Sequence, residues 1–229
     1  MAWEVEAHAG AAHFCEIVEQ RALAGQGAVC LVGGCGGGQE AAYIQKRLRT
    51  PVVAVDIALK LEPDLVRLEG LFFSRGTVLC LPFEQEVFDL VFYHHVIEHV
   101  ADPERSLQEL HRVLKPGGHL YVGTPNRHRA LGYLGSRNVS FWTKVLWNLN
   151  DYGMRVRGRF RNELGAHAGF SRRELDGMLR MYFSEVRWLT DDYLRFKYGR
   201  RLPSPLLKGL TRPLVMEFVA PAIYALARK

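Results

Sequence analysis

The chain has 229 residues, of which 48% are hydrophobic, and this suits a single globular domain with a sizeable core. Its four cysteines lack disulfide or zinc-ligand spacing, and the chain shows no signal peptide and no run of about 20 uncharged apolar residues. These features exclude a disulfide scaffold, a metal centre and a membrane span, and they predict a cytoplasmic protein. Residues 1–124 contain 10 Lys and Arg against 16 Asp and Glu, whereas residues 125–229 contain 20 against 8. The basic second half favours an anionic partner, with a solvated arginine-rich surface as the alternative.

The first predicted elements surround a glycine-rich turn. Ala11–Leu23 has apolar residues at helical spacing, and Ala28–Val32 is apolar throughout, as expected of a buried parallel strand. Five of the six residues from 33 to 38 are glycine, and Gln39–Arg49 has the pattern of a helix. Glycine accepts positive φ and lets a ligand lie against bare backbone, while the helix start offers unpaired N–H groups. The stretch therefore predicts a ligand-binding crossover of a nucleotide-type α/β fold.

An acidic residue ends the next predicted strand, Pro51–Asp56. Asp56 follows Gly36 by 20 positions, which is where this kind of fold holds ribose hydroxyls, because a carboxylate accepts two O–H donors. The alternative is that Asp56 caps a helix.

The remaining pattern alternates strands and helices and predicts a parallel, doubly wound sheet. The elements expected in the first half are a helix over Lys60–Glu69, a third strand bracketed by Leu71–Phe73 and Thr77–Leu79, a fourth strand over Val87–Tyr93, a helix from Pro103 and a fifth strand over His119–Gly123.

The second half is less regular. A segment rich in Trp and Leu, Phe141–Leu149, predicts a helix that covers the active site or seeks a surface. Arginines alternate from Arg155 to Arg161 and would share one side of an extended chain, where they could hold a phosphate or carboxylate, or they belong to a solvated loop. Ser171 begins a capped helix, and Phe183–Thr190 predicts a sixth strand. Ala222–Ala227 is either the last strand or a terminal helix.

Several segments together resemble the class I S-adenosylmethionine-dependent methyltransferases over about residues 13–126. The matching segments are Leu81–Phe83, Phe88–Val91, Val96–Val100, Asp102–Pro103, Leu110–Gly118 and Thr124–Asn126. The resemblance is greatest to the small-molecule branch that includes the ubiquinone and menaquinone methyltransferases. It implies a Rossmann-like sheet of seven strands in the order 3-2-1-4-5-7-6, with strand 7 antiparallel and a helical cap inserted after strand 5. It also implies one domain over 1–229, with a cofactor-binding core at 1–126, a cap at 127–170 and a final unit at 171–229.

The resemblance assigns the cofactor contacts one residue at a time. Gly34, Cys35, Gly36 and Gly38 would pass under the methionine part and ribose of S-adenosylmethionine. Asp56 would take the ribose hydroxyls. The residues expected around adenine are Ile57, Thr77 and Val78, and those expected near the reacting methyl are Tyr93 and His94.

Histidines are the side chains most suited to remove a proton from an acceptor near neutral pH. The candidates are His94 and His95 at the end of strand 4 and His167 on a later loop, whereas His99 is interpreted as a structural capping group. Residues expected to contact the small-molecule acceptor are Trp142, Arg155 and Arg157.

Three alternatives stay open. Gly36–Ala41 formally satisfies a dinucleotide-binding pattern, which would suit an oxidoreductase. Val32 and Thr77 stand where the family usually has acids, which motivates a non-catalytic binding or scaffold subunit. The basic, apolar stretch from Arg195 to Phe218 motivates a membrane-associated enzyme acting on a lipid or quinone. No motif for nucleic-acid binding is present, and the sequence leaves the oligomeric state open.

Overall fold

A central sheet with helices on both faces forms within residues 9–133, 139–164 and 166–229, which the computed structural model describes. Its strands are β1 (Cys30–Gly33), β2 (Val52–Asp56), β3 (Leu71–Arg75), β4 (Phe88–His94), β5 (Leu114–Pro125), β6 (Glu185–Trp188) and β7 (Ala222–Arg228). Its helices are α1 (Ala9–Gln20), α2 (Gln39–Leu48), α3 (Pro103–Val113), α4 (Phe141–Val156), α5 (Arg172–Arg180), α6 (Thr190–Tyr198), α7 (Ser204–Leu210) and α8 (Pro213–Val219). Single 3-10 turns cover Leu65–Arg67, Ile97–His99 and Asn162–Leu164.

The seven strands lie in the order β3-β2-β1-β4-β5-β7-β6, which confirms the predicted Rossmann-like α/β sheet. Strands β1 to β5 are parallel, and β7 runs antiparallel between β5 and β6. The terminal-helix alternative for Ala222–Ala227 is therefore wrong. Strands β2 and β3 lie on one side of β1, and the later strands lie on the other. The strand order therefore reverses between β1 and β4, and a crevice opens at the carboxyl ends of these two strands.

Two apolar layers enclose the sheet, one on each face. Successive residues of β4 point to opposite faces, so Phe92 packs with Phe14 of α1, whereas Tyr93 packs with Leu107 of α3. The central strands are buried on both faces, which is why β1 and β4 are apolar almost throughout. Helix α3 begins at Pro103, and the Asp102 carboxylate caps it by accepting the N–H of Arg105 at 2.9 Å.

The helix expected over Lys60–Glu69 is wrong, because only the single turn Leu65–Arg67 forms there. Proline disfavours the helical conformation of the residue before it, and Glu62 precedes Pro63, so a helix cannot run through this point. The third strand is Leu71–Arg75 alone, and the segment from Thr77 to Cys80 is a tight bridged turn beyond it.

The region after β5 contains the inserted helix that was expected, α4. Helix α6 was not predicted, although Asp191 and Asp192 in its first turn and Lys197 in its last turn suit the helix dipole. The subdivision at residues 126 and 170 stays a prediction.

One histidine lies in the core beneath α6. His13 of α1 is 2% exposed, and its Nδ1 lies 2.8 Å from the hydroxyl of Tyr121. Its ring also meets Tyr193 edge to face at 5.4 Å. Burial, with a smaller contribution from Arg21, lowers the pKa of His13 to about 4. The folded protein therefore holds this ring neutral at a pH where an unfolded chain protonates it.

We expect the stability of the protein to fall as the pH drops from 6.5 towards 4. Between these values the unfolded state binds a proton at position 13 that the folded state does not, so stability is lost on acidification. The substitution His13→Gln keeps a polar partner for Tyr121 but cannot titrate. Urea unfolding at several pH values in this range gives the free energy of unfolding. Plotted against pH, it should have a slope that is shallower by up to about 1.4 kcal/mol per pH unit in the variant than in the wild type. If the wild type and the variant had the same slope, the lowered pKa of His13 would be contradicted.

Candidate active site

A pocket of about 380 Å³ opens at the carboxyl ends of β1, β2 and β4. Its volume lies within the range of small-molecule sites. Its lining residues are Gly34, Val55, Asp56, Ile57, Gly76, Thr77, Val78, Leu79, His95, Val96, His99, Val100 and Ala101. Five of the residues that the resemblance assigned to the cofactor (Gly34, Asp56, Ile57, Thr77 and Val78) thus line one cavity at the crevice of the sheet.

The glycine turn after β1 is attached to β2. The N–H groups of Gly34 and Cys35 both donate to the carbonyl oxygen of Val55, at 2.8 and 3.1 Å. Gly34 has a φ of +71°, and a Cβ atom there would overlap the side chain of Val96. Glycine is therefore required at this position for its conformation and for the close approach of a neighbour.

Asp56 fastens the same turn from β2. One carboxylate oxygen accepts the N–H of Gly36 at 2.8 Å, and the other accepts the N–H of Ala58 at 2.9 Å. No helix starts here among the described residues, so the helix-cap alternative is wrong. The side chain is half-buried, and each oxygen keeps a second lone pair that can accept a hydroxyl.

The segments that follow β2 and β3 form another wall of the same pocket, apart from the glycine turn. Ile57 is 67% exposed although it is apolar, and Val78 is buried. The hydroxyl oxygen of Thr77 accepts the N–H of Leu79 at 3.2 Å, and its own proton stays available to a ligand. This wall therefore offers two apolar surfaces and one hydroxyl, which suits a flat polar ring.

His95 and Glu98 form a dyad beside the pocket. Nδ1 of His95 lies 3.2 Å from one Glu98 oxygen, and the Thr124 hydroxyl donates to the other at 3.0 Å. Burial raises the pKa of Glu98, but the hydrogen bond and charge of His95 outweigh it, and the net pKa is lowered. A charged Glu98 accepts the Nδ1 proton of His95, which leaves Nε2 of the ring as an acceptor.

A pair of histidines, His99 and His167, lies at the rim of this pocket. The ring of His99, which lines the pocket, meets the ring of His167 edge to face at 4.7 Å. Burial and then His99 lower the pKa of His167. His99 was expected to be a structural capping group, and the contact of Thr124 with Glu98 was not predicted. The run from His94 to His99 could have indicated His99, but no local signal indicates Thr124, because the contact joins strand β5 to the distant 3-10 turn Ile97–His99.

Tyr93 and His94 do not line the pocket, in contrast to their expected place near the reacting methyl. Tyr93 is fully buried on the α3 face and donates to the Ser106 hydroxyl at 3.1 Å. His94 is buried on the α1 face, where its Nδ1 lies 3.3 Å from Glu40 and burial holds its pKa well below the usual value. Cys35 is also packed into the core near α2. Gly38, with a φ of +87°, lies outside the lining of the pocket and precedes α2.

The residues expected to contact the acceptor are not brought to the pocket. Trp142 on α4 is 73% exposed. The extended conformation expected for the arginines is wrong, because Arg155 lies in the last turn of α4 and Arg157 ends that helix. Arg155 donates to the Arg129 carbonyl at 3.0 Å and stacks on Phe160. The helix continues through Gly153 and ends at Val156, and Gly158 follows it at a φ of +67°.

A sheet in this order, with a glycine turn after β1 and an acid after β2, defines the fold of class I methyltransferases. Residues 31–122 match a sequence family described as a methyltransferase domain. This part of the chain is therefore similar to methyltransferase domains, and the sheet around it has the strand order of the class I fold.

Individual relatives agree with this. A ubiquinone biosynthesis O-methyltransferase from Chelativorans sp. is 31% identical over 155 residues, which are 64% of this chain and 60% of that protein. The chain spans less than two thirds of the length of the curated relatives it matches. A phosphoethanolamine N-methyltransferase from Haemonchus contortus, solved with S-adenosylhomocysteine, has a TM-score of 0.59 at 16% identity and covers 94% of this chain and 52% of its own.

The same fold also occurs in a protein with another activity. The cyclase SpnF has a TM-score of 0.57 at 19% identity, over 94% of this chain and 80% of its own. These structures therefore establish the fold and not the reaction. Within the described residues, no helix is long and apolar enough to cross a membrane, and no group of His, Cys, Asp or Glu side chains is arranged to hold a metal ion.

We expect Gly34→Ala to destabilise the protein more than Gly36→Ala. Both glycines have positive φ, so both substitutions carry a conformational cost of about 1 kcal/mol. Only Gly34 has a neighbour in the way, since nothing lies within 4 Å of a Cβ at Gly36. The overlap with Val96 should add about 1–3 kcal/mol, measured by urea unfolding.

A double-mutant cycle isolates the steric part. Gly34→Ala should cost about 1 kcal/mol less in a Val96→Ala background than in the wild type, because the overlapping methyl groups are gone. Equal costs in the two backgrounds would show that Val96 does not set the requirement.

Proposed function

We propose that this protein transfers a methyl group from S-adenosylmethionine to a hydroxyl oxygen of a small-molecule acceptor. The observation that carries the proposal is the meeting, in one pocket, of the glycine turn, Asp56 and His95, whose Nδ1 lies 3.2 Å from Glu98 behind it. The match of residues 31–122 to a methyltransferase domain supports the reaction class. The name of the O-methyltransferase relative supports oxygen as the atom that receives the methyl group.

The pocket residues suit the cofactor chemically. The turn is open at Gly36, since nothing lies within 4 Å of the place that a Cβ would take there. Asp56 is positioned for ribose hydroxyls, because carboxylates accept two such donors at once. Ile57 and Val78 would pack on the faces of adenine, with the Thr77 hydroxyl at its edge.

Bound S-adenosylmethionine supplies an electrophilic methyl group on a positively charged sulfur. The protein has to align the acceptor oxygen with that methyl, exclude water and remove the hydroxyl proton. We assign proton removal to His95. Glu98 holds Nδ1 of the ring, so Nε2 can accept the proton, and the resulting positive charge would be stabilised by the carboxylate.

Two alternatives remain predictions. The non-catalytic scaffold interpretation rests on Val32 and Thr77, and turnover by the purified single chain would exclude it. Peripheral membrane association is favoured by the apolar side chains that α4 and α8 expose, including Trp142 and Leu214. The cytoplasmic location also stays a prediction, and so does the identity of the acceptor.

We expect Asp56→Asn to weaken S-adenosylmethionine binding by about 10- to 100-fold, because hydrogen bonds to a charged acceptor contribute about 1.5–3 kcal/mol. Isothermal titration calorimetry measures the dissociation constant. Asp64→Asn is the matched control, since Asp64 is an exposed aspartate that does not line the pocket. Wild-type protein that does not bind the cofactor at millimolar concentration would refute the proposal.

We expect His95→Gln to lower kcat by about 10²- to 10⁴-fold while cofactor affinity changes little, since the ring acts on the acceptor proton. Glu98→Gln should lower kcat less, because an amide still accepts from Nδ1 but stabilises the imidazolium poorly. Initial rates with a catechol-type acceptor measure both effects. His167→Gln is the control at the same rim. A large loss in His167→Gln with none in His95→Gln would transfer the role of the base to His167.

A further inference from the structure

A second pocket, of about 500 Å³, lies between α5, α8 and the adjoining ends of β6 and β7. None of its lining residues belongs to the lining of the cofactor pocket. Its residues are Asn126, Arg172, Arg173, Asp176, Arg180, Trp188, Thr190, Pro213, Leu214, Met216, Glu217 and Ile223. The methyl-transfer proposal assigns no role to any of them.

The charges in this pocket do not cancel. Its two carboxylates already have partners: Asp176 accepts from Arg180 at 2.7 Å, and Glu217 lies 2.9 Å from Nδ1 of His128. Within the part of the chain that the structure describes, no carboxylate forms an ion pair with Arg172 or Arg173. The lining thus holds three arginines against two carboxylates, and an anion can neutralise the excess positive charge.

Neighbouring side chains orient one of these guanidinium groups. The Trp188 Nε1–H donates to the second Asp176 oxygen at 3.1 Å, which fixes the indole. Arg172 lies over that indole, 4.8 Å from the ring centroid. Stacking uses the flat face of a guanidinium and leaves its N–H edge available for a paired contact with a carboxylate or phosphate.

The facing wall is apolar and faces solvent. Helix α8 buries none of its residues, and Leu214 is 81% exposed. Met216 and Pro213 continue this wall, and Ile223 of β7 also lines the pocket. A purely inorganic anion would leave these side chains in water, whereas a ligand with an apolar chain or ring would cover them.

We propose that this second pocket binds an anionic amphiphile, whose carboxylate or phosphate pairs with Arg172 and Arg173 and whose apolar part covers Leu214 and Met216. This ligand is either a free small molecule or the head of a membrane lipid, since both carry the same chemistry. The proposal does not depend on methyl transfer, because the two pockets share no residue.

Binding of octyl phosphate, followed by calorimetry, tests the proposal. We expect saturable binding that is about tenfold or more tighter than that of octanol, which lacks the charge, or inorganic phosphate, which lacks the chain. Arg172→Gln combined with Arg173→Gln should weaken octyl phosphate binding about tenfold or more. Leu214→Ser should weaken octyl phosphate but not inorganic phosphate. Arg187→Gln, an exposed arginine of β6 outside the pocket, is the matched control.

Vesicles of phosphatidylglycerol and of phosphatidylcholine separate the two sources. Sedimentation with the anionic vesicles that the double variant abolishes supports a lipid head, and binding of octyl phosphate without sedimentation supports a free ligand. Equal affinity of wild type and double variant for octyl phosphate and for anionic vesicles would overturn the proposal. All substituted side chains are exposed, so thermal unfolding should be unchanged, and titration with S-adenosylmethionine shows separately whether the cofactor pocket is intact.

Discussion

The attachment of the glycine turn to β2 is the interaction on which the candidate active site depends. Two N–H groups of the turn converge on the Val55 carbonyl, and a third, from Gly36, meets the Asp56 carboxylate. Together they hold the end of β1 against the end of β2, while Val96 from the neighbouring loop occupies the space that a side chain on Gly34 would need. Asp56 therefore has two roles, since it shapes the turn and also presents its remaining lone pairs to the pocket.

The end of β4 determines which histidine can act on a ligand. Tyr93 and His94 follow the alternation of the strand into the two cores, whereas His95 leaves that pattern with a φ of +54°. The His95 N–H donates to the Gly123 carbonyl at 2.8 Å, so β5 holds the chain in this unfavourable conformation. Strain of this kind is typical of functional positions, because surrounding contacts have to compensate for it. The ring consequently reaches Glu98 and the pocket.

The sheet order and the position of the glycine turn could be predicted, because they follow from apolar strands, short turns and a family resemblance that all lie in β1 to β5. The sequence could not distinguish His94 from His95, since the difference depends on the bond to Gly123 of another strand. The extended conformation expected around Arg155 and Arg157 was wrong for a local reason. Their alternation suggested an extended chain, but α4 continues through Arg155 and ends at Val156. The second pocket could not be predicted from the sequence, because α5 and α8, which line it, are distant in sequence and meet only in the folded chain.

The absence of an acid at Val32 also has a structural explanation. Val32 is 1% exposed and packs in the core beneath α1 and α2, so a carboxylate there would have to be desolvated. On the same face, an acidic group comes instead from the first turn of α2, where Glu40 lies 3.3 Å from His94. Valine therefore suits the apolar core, and the departure bears on how a cofactor would be held and not on whether the sheet forms.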